Sequence, residues 1–354
     1  MVLCHSSLYA QDKKSKNFLE ARLLGIETLK DGYLCLLRDA KDSIFQTKTL
    51  DPTKYSYKGL ARLDNEGNVI WFRHANPDDI RLEDGFIYYL ASSRNNSKTY
   101  SSGELVEVKL DMDGTEMSRT SLTNIEVESP NTSIEGIYGP GGEIWSITYW
   151  PWTSWSRSEK VFVDSIPRIY YEGQNYLVQK FDANKQVSSS NRFWGKGINI
   201  RGMQFFESDL AVILEYRSVD IGTEQYFADT TQYNKSRLHP PRDVLYAQFD
   251  LNCKVQKTKV LGENYLYVES FIAYDSGKIL MSGTYQGKEL HPYQRSTQFL
   301  GNNLSVTSMY DLVETRRNAF VAMLSPDFEV EWINLGTSDL DVSHERTSVL
   351  GDSI

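Results

Sequence analysis

The chain has 354 residues, a net charge of −9 and an aromatic content of 12%. A length of this order allows about two domains or one large repeat ring. With no long basic run, sequence-independent nucleic-acid binding, which rests on Lys and Arg neutralising phosphates, is excluded as a reading. No stretch of eighteen apolar residues occurs, so no spanning helix is expected.

Taken from the N-terminus, residues 1–19 read as a tail. Leu8-Tyr9-Ala10-Gln11-Asp12 resembles the end of a bacterial secretory signal whose start has been trimmed, which gives a secreted or periplasmic expectation. Cys4 follows Val2-Leu3 with no small residue before it and is not read as a lipid anchor.

From residue 20 to 354 two phrases alternate. In the first, an apolar strand meets a tight turn and a very apolar strand, with turns at Gly32, Gly85, Gly142, Asp209 and Gly277. Tyr33-Leu34-Cys35-Leu36-Leu37 and Ala211-Val212-Ile213-Leu214 are apolar on both faces, as in the middle of packed sheets. The second phrase is most complete at Leu63-Asp64-Asn65-Glu66-Gly67-Asn68-Val69-Ile70-Trp71 and returns at Leu110, Phe181, Phe249 and Leu324. Gly59, Ala61 and Leu63 precede it at period two, as do Val106, Val108 and Leu110, or Leu245, Ala247 and Phe249, so one strand face carries them. Asp and Gly reverse the chain after each strand. The third and fourth copies lack both the Gly and the Trp, and the fifth has Pro326 and Phe328 in its turn.

Two hairpins per repeat make a four-stranded unit, and a fixed unit returning along a chain marks a solenoid, propeller or array. No segment sustains helical periodicity. The expected fold is all-β, a β-propeller of five to six four-stranded blades over residues 20–354, with residues 347–354 reading as the start of a sixth unit. The pattern apolar-Asp-x-x-Gly-x-x-x-Trp of Leu63 to Trp71 resembles the turn motif of quinoprotein-type and related bacterial surface β-propellers. The resemblance implies the propeller architecture; nothing beyond the turn matches a cofactor site, so no cofactor is expected.

The later repeats are longer, and the extra residues fall between the second and third strands, at 150–175, 217–243 and 286–318. Insertions at one equivalent position emerge on one face, often the binding face. They carry Trp150, Trp152 and Trp155, then Tyr226 and Tyr233, then Tyr293, Arg295 and Tyr310. Rings with a polar edge suit sugars, peptides or another protein, and these eight are the candidate ligand-binding residues. Each of them also suits a satellite core that packs the loop down.

Carboxylates in the same insertions, such as Glu159, Asp164, Asp220, Glu224 and Asp311, have no spacing that singles out a catalytic pair. The histidines are isolated, and Asp111-Met112-Asp113-Gly114 lacks the later ligands of a calcium loop and reads as a hairpin, so no metal is expected. The three cysteines give no disulfide framework, and Cys35 reads as a small buried hydrophobe. The preferred function is a non-catalytic binding or scaffold protein of a bacterial envelope, with a glycan, peptide or protein partner. The alternative is a carbohydrate-active hydrolase or lyase with carboxylates over the central channel.

Overall fold

The computed structural model describes residues 22–40, 57–75, 77–96, 101–127, 132–151, 161–163, 166–168, 173–228, 243–263, 266–274, 277–286, 297–300, 302–304 and 317–336. Among these every regular element is a strand, and five antiparallel sheets form the blades of a β-propeller. The tail at 1–19 and the expected sixth unit at 347–354 lie outside the described residues.

Blade 1 is β1 (Arg22–Leu29), β2 (Gly32–Ala40), β3 (Tyr57–Leu63) and β4 (Val69–His74). Blade 2 begins with β5 (Pro77–Glu83), β6 (Phe86–Asn96), β7 (Ser101–Leu110) and β8 (Glu116–Val127). In blade 3, β9 (Ser133–Tyr138) and β10 (Ile144–Pro151) are separated from β13 (Gln174–Phe181) and β14 (Val187–Lys196) by a hairpin, β11 (Val161–Val163) and β12 (Ile166–Arg168). Blade 4 repeats this with β15 (Asn199–Phe206), β16 (Asp209–Tyr216), the hairpin β17 (Ser218–Ile221) and β18 (Glu224–Phe227), then β19 (Asp243–Phe249) and β20 (Val255–Glu263). Blade 5 does so with β21 (Leu266–Ala273), β22 (Ile279–Gln286), β23 (Thr297–Phe299), β24 (Asn302–Leu304), β25 (Arg317–Leu324) and β26 (Val330–Gly336).

The hairpins add to the expected four-stranded units. Each leaves its own blade and pairs with the outer strand of the preceding one: β11 with β8, β17 with β14, β23 with β20. Among the described residues blades 2, 3 and 4 therefore have six strands, and blades 1 and 5 have four. The physical reason is the open edge. β8, β14 and β20 are 12, 10 and 9 residues long, and their unpaired N–H and C=O groups take up the strand lent by the next blade's insertion, whereas blade 2, with β6 ending at Asn96 and β7 beginning at Ser101, has no insertion to lend to β4.

The five recurring phrases form one structure. Each is a hairpin between third and fourth strands with a register shift at the same place: Arg62/Leu63, Lys109/Leu110, Lys180/Phe181, Gln248/Phe249 and Met323/Leu324. In four of them an Asp carboxylate accepts two backbone N–H bonds, as Asp64 does from Glu66 at 3.0 Å and Asn68 at 2.7 Å, and in the fifth the Ser325 hydroxyl accepts from Glu329 at 3.0 Å. The residue three after that cap has positive φ in every copy: Gly67 84°, Gly114 81°, Lys185 63°, Cys253 58° and Phe328 63°. A left-handed residue closing the turn before a bulge is what this hairpin requires, and three non-glycine residues accept it.

The missing tryptophans have the same explanation. Trp71 Nε1 donates to the Met112 carbonyl in the next blade's turn at 3.0 Å; at the equivalent position Ser189 Oγ donates to Leu251 O at 3.4 Å and Lys257 Nζ to Pro326 O at 2.9 Å. Between blades the core is apolar, with Leu210, Val212, Leu214, Leu245 and Phe249 of blade 4 packed on Trp145, Tyr176 and Phe193 of blade 3. Cys35 and Val212, at 2% and 0% exposure, are central-strand residues as expected.

Candidate functional site

One junction departs from this pattern. The second strand of each blade turns alternate side chains toward the preceding blade; in β16 these are Leu210, Val212, Leu214 and Tyr216, and in β22 they include Ile279, Met281 and Tyr285. In β10 they are Ile144, Ser146, Thr148 and Trp150, opposite Phe181, Gln179, Leu177 and Asn175 of β13. All eight are buried. Two hydroxyls and two amides thus occupy places that the next seam fills largely with aliphatic groups.

Blade 2 answers with polar groups of its own. Thr123 Oγ1 donates to Gln179 Oε1 at 3.4 Å across the seam. Near the hairpin-turn end, Glu107 is 7% exposed and accepts from the Tyr138 hydroxyl at 3.2 Å, and Lys185 Nζ lies 3.0 Å from its other oxygen. Arg81, 3.8 Å from Glu107, sits over the rings of Tyr88 and Tyr138 and donates to Gly142 O at 3.3 Å. The positive φ of Lys185 thus aims a blade 3 ammonium at a blade 2 carboxylate.

Toward the axis, β5 and β9 are joined by two carboxylates instead of a ladder. Asp79 accepts from the Tyr138 amide at 2.8 Å and its neighbour Ile80 at 2.9 Å; Asp78 accepts from the Gly136 amide at 3.4 Å and the Ser92 hydroxyl at 3.3 Å. Close approach needs the glycine, because a Cβ on Gly136 would lie 3.0 Å from Leu105 and Leu90. Burial drives the Asp79 carboxyl up to about 6, against the two amide bonds that favour its charge and helped by nearby Glu27. Burial first, and then Glu107, push the Tyr138 phenol far above its ordinary range.

Along the rest of the seam the chemistry is neutral. Thr132 Oγ1, Ser146 Oγ, Thr148 Oγ1 and Trp150 Nε1 are enclosed and have no protein partner. Each such group costs about 1–3 kcal/mol when left unpaired, a large share of the roughly 5–15 kcal/mol that stabilises a domain.

Of the candidate residues read from the sequence, two are described. Trp150 is 0% exposed and lies within the seam, packed with Leu90, Leu122 and Leu177, so it is a core ring and leaves the set of surface anchors. Tyr226 lies on β18, the outermost strand of blade 3, where its hydroxyl bonds Glu224 and Thr258 and its ring packs edge-on to Tyr216. The two belong to different clusters and are not brought together. Trp152, Trp155, Tyr233, Tyr293, Arg295 and Tyr310 lie outside the described residues. Among the described residues no three His, Cys, Asp or Glu side chains converge as metal ligands, and no helix is long and apolar enough to cross a membrane.

The seam was missed by sequence reasoning, although a signal existed. Trp145-Ser146-Ile147-Thr148-Tyr149 puts hydroxyls where the corresponding strand reads Ala211-Val212-Ile213-Leu214-Glu215, with Val212 and Leu214 at the matching places.

No family model and no curated protein matches the chain. Among solved structures it is similar to Pyrococcus horikoshii acylaminoacyl peptidase in two forms. The orthorhombic crystal form gives 11% identity and a TM-score of 0.39, and the uncomplexed protein 12% and 0.38. Each comparison covers 88% of this chain, which spans less than half of that protein, 38% and 39%.

Proposed function

We propose that this propeller is a non-catalytic binding or scaffold protein of a bacterial envelope that holds a glycan, peptide or protein partner on the face from which its insertions leave. The observation that carries this reading is the equivalence of the three insertions. All join a second strand to a third, β10 to β13, β16 to β19 and β22 to β25, so their roots leave the same end of blades 3, 4 and 5. The short hairpins tie each insertion to the neighbouring blade, and the insertions supply Trp152, Trp155, Tyr226, Tyr233, Tyr293, Arg295 and Tyr310 as the proposed anchors. The envelope assignment rests on residues 8–12.

A glycan array, followed by titration of the best binder, tests it. Trp152→Ala and Tyr293→Ala are each expected to weaken binding by about 2 kcal/mol or more with an unchanged melting temperature. Unaltered affinity in both variants counts against the shared face.

One observation favours the hydrolase or lyase reading. Asp79, raised to about 6, has Glu27 of the neighbouring first strand close enough to act on its charge. That reading requires turnover of a bound glycan that Asp79→Asn abolishes.

A further inference from the structure

We infer that the seam between blades 2 and 3 binds a file of water molecules along β10, seated on Thr132 Oγ1, Ser146 Oγ, Thr148 Oγ1 and Trp150 Nε1. This does not depend on the function proposed above. All four groups are buried and have no protein partner, and three of them share one face of one strand at successive alternate positions. Same-face side chains along a strand are spaced by about 6.6 Å, too far for Ser146 and Thr148 to bond one another and within reach of a molecule set between them.

The donor set identifies the occupant. A hydroxyl both donates and accepts, and an indole only donates. The indole cannot accept, which excludes a cation, and an anion enclosed among uncharged donors would carry the full cost of burying an unpaired charge, so the set calls for a small neutral molecule that both donates and accepts. Among the described residues the charged groups of the seam are engaged elsewhere. Glu107 is engaged by Tyr138 and Lys185, and Asp78 and Asp79 by Gly136, Ser92 and Tyr138. Buried polar sites of this kind hold ordered water with two to four partners, whereas apolar ones stay dry. The file runs from the middle of the seam to Trp150, close to where the chain leaves for its first insertion.

Two measurements decide the matter. A high-resolution crystal structure of the wild-type chain is expected to show at least two waters within hydrogen-bond distance of Ser146 Oγ and Thr148 Oγ1. Water magnetic relaxation dispersion is expected to lose that long-lived population in the double variant Ser146→Ala, Thr148→Val, with a melting temperature lowered by a few degrees. A dry seam, an unchanged long-lived population, or a raised melting temperature overturns the inference, since removing unsolvated hydroxyls relieves a burden instead of breaking bonds. Density for a larger solute overturns the assignment to water. Should the double variant fail to fold, the wild-type density decides alone.

Discussion

The two faces of blade 3 are presented by the same strands in the same register and pack differently. Toward blade 4, Trp145 and Ile147 of β10 meet Leu210, Val212 and Leu214 in a largely apolar cluster, in which the Trp145 indole N–H is enclosed without a partner. Toward blade 2, the intervening residues Ser146 and Thr148 meet a partner surface that carries Thr123 and Glu107. A propeller needs only that each blade bury a face. The comparison teaches that one junction can be polar as long as its neighbours supply the apolar area, and that such a junction is held by directional bonds instead of by area alone.

The largest effect is expected from putting a charge into the apolar seam. Val212→Asp should prevent folding, because an unpaired buried carboxylate costs several kcal/mol against a total of roughly 5–15. A circular dichroism melt with a wild-type midpoint would break the comparison at once.

Next comes the charge that the polar seam already tolerates. The Asp79 carboxyl is raised from 3.8 to about 6 by burial, so the fold prefers its protonated form. Below about pH 4 both the folded and unfolded chains bind this proton. Between about 4 and 6 only the folded chain does, and stability falls as pH rises; above about 6 the loss is complete. The span corresponds to at most about 3 kcal/mol. Asp79→Asn is therefore expected to raise stability at pH 7 to 8 by about 1–3 kcal/mol and to flatten the slope between pH 4 and 6 in urea titrations. A variant less stable at pH 8 would mean that the charged form is the one the seam requires.

A milder exchange sharpens the contrast. Val212→Thr keeps the shape and adds one hydroxyl to the apolar side, at an expected cost of about 1–3 kcal/mol. If the loss is negligible by chemical denaturation, the two seams do not differ in their tolerance of polar groups. The smallest effect is expected at the rim. Lys185→Met removes an ammonium that is a quarter exposed and leaves Glu107 with Arg81 and Tyr138, for a cost of about 1 kcal/mol that shrinks with salt.

The architecture was legible because each blade repeats its turn chemistry. Asp64, Asp111, Asp182 and Asp250 mark four turns by a carboxylate that caps two amides, and that mark survives when the glycine is gone. The glycine proved dispensable because Lys185, Cys253 and Phe328 each gain a partner from the left-handed position: Glu107, Ser189 and the Tyr246 ring. Such contacts offset a backbone cost of about 1–2 kcal/mol. The blade-extending hairpins were not legible, since strands of three or four residues such as Val161–Val163 and Ser218–Ile221 are too short to show an alternation. Neither was the polar seam. A serine at every second place reads as a solvent face, and only the neighbouring sheet shows that Ser146 and Thr148 look into another blade.

The borrowed hairpins also impose an order on synthesis. β8 ends at Val127, and the strand that covers its edge begins at Val161, beyond the first two strands of blade 3. Blades 3 and 4 wait in the same way for β17 and β23. As the chain emerges N-terminus first, each of these blades carries an uncovered edge until its successor has been half made. The repeats are thus threaded into one another like overlapping shingles. A truncation after any of blades 2, 3 or 4 would strip the edge cover from the last blade kept, so these units are expected to fold as a linked series and not as a row of separable modules.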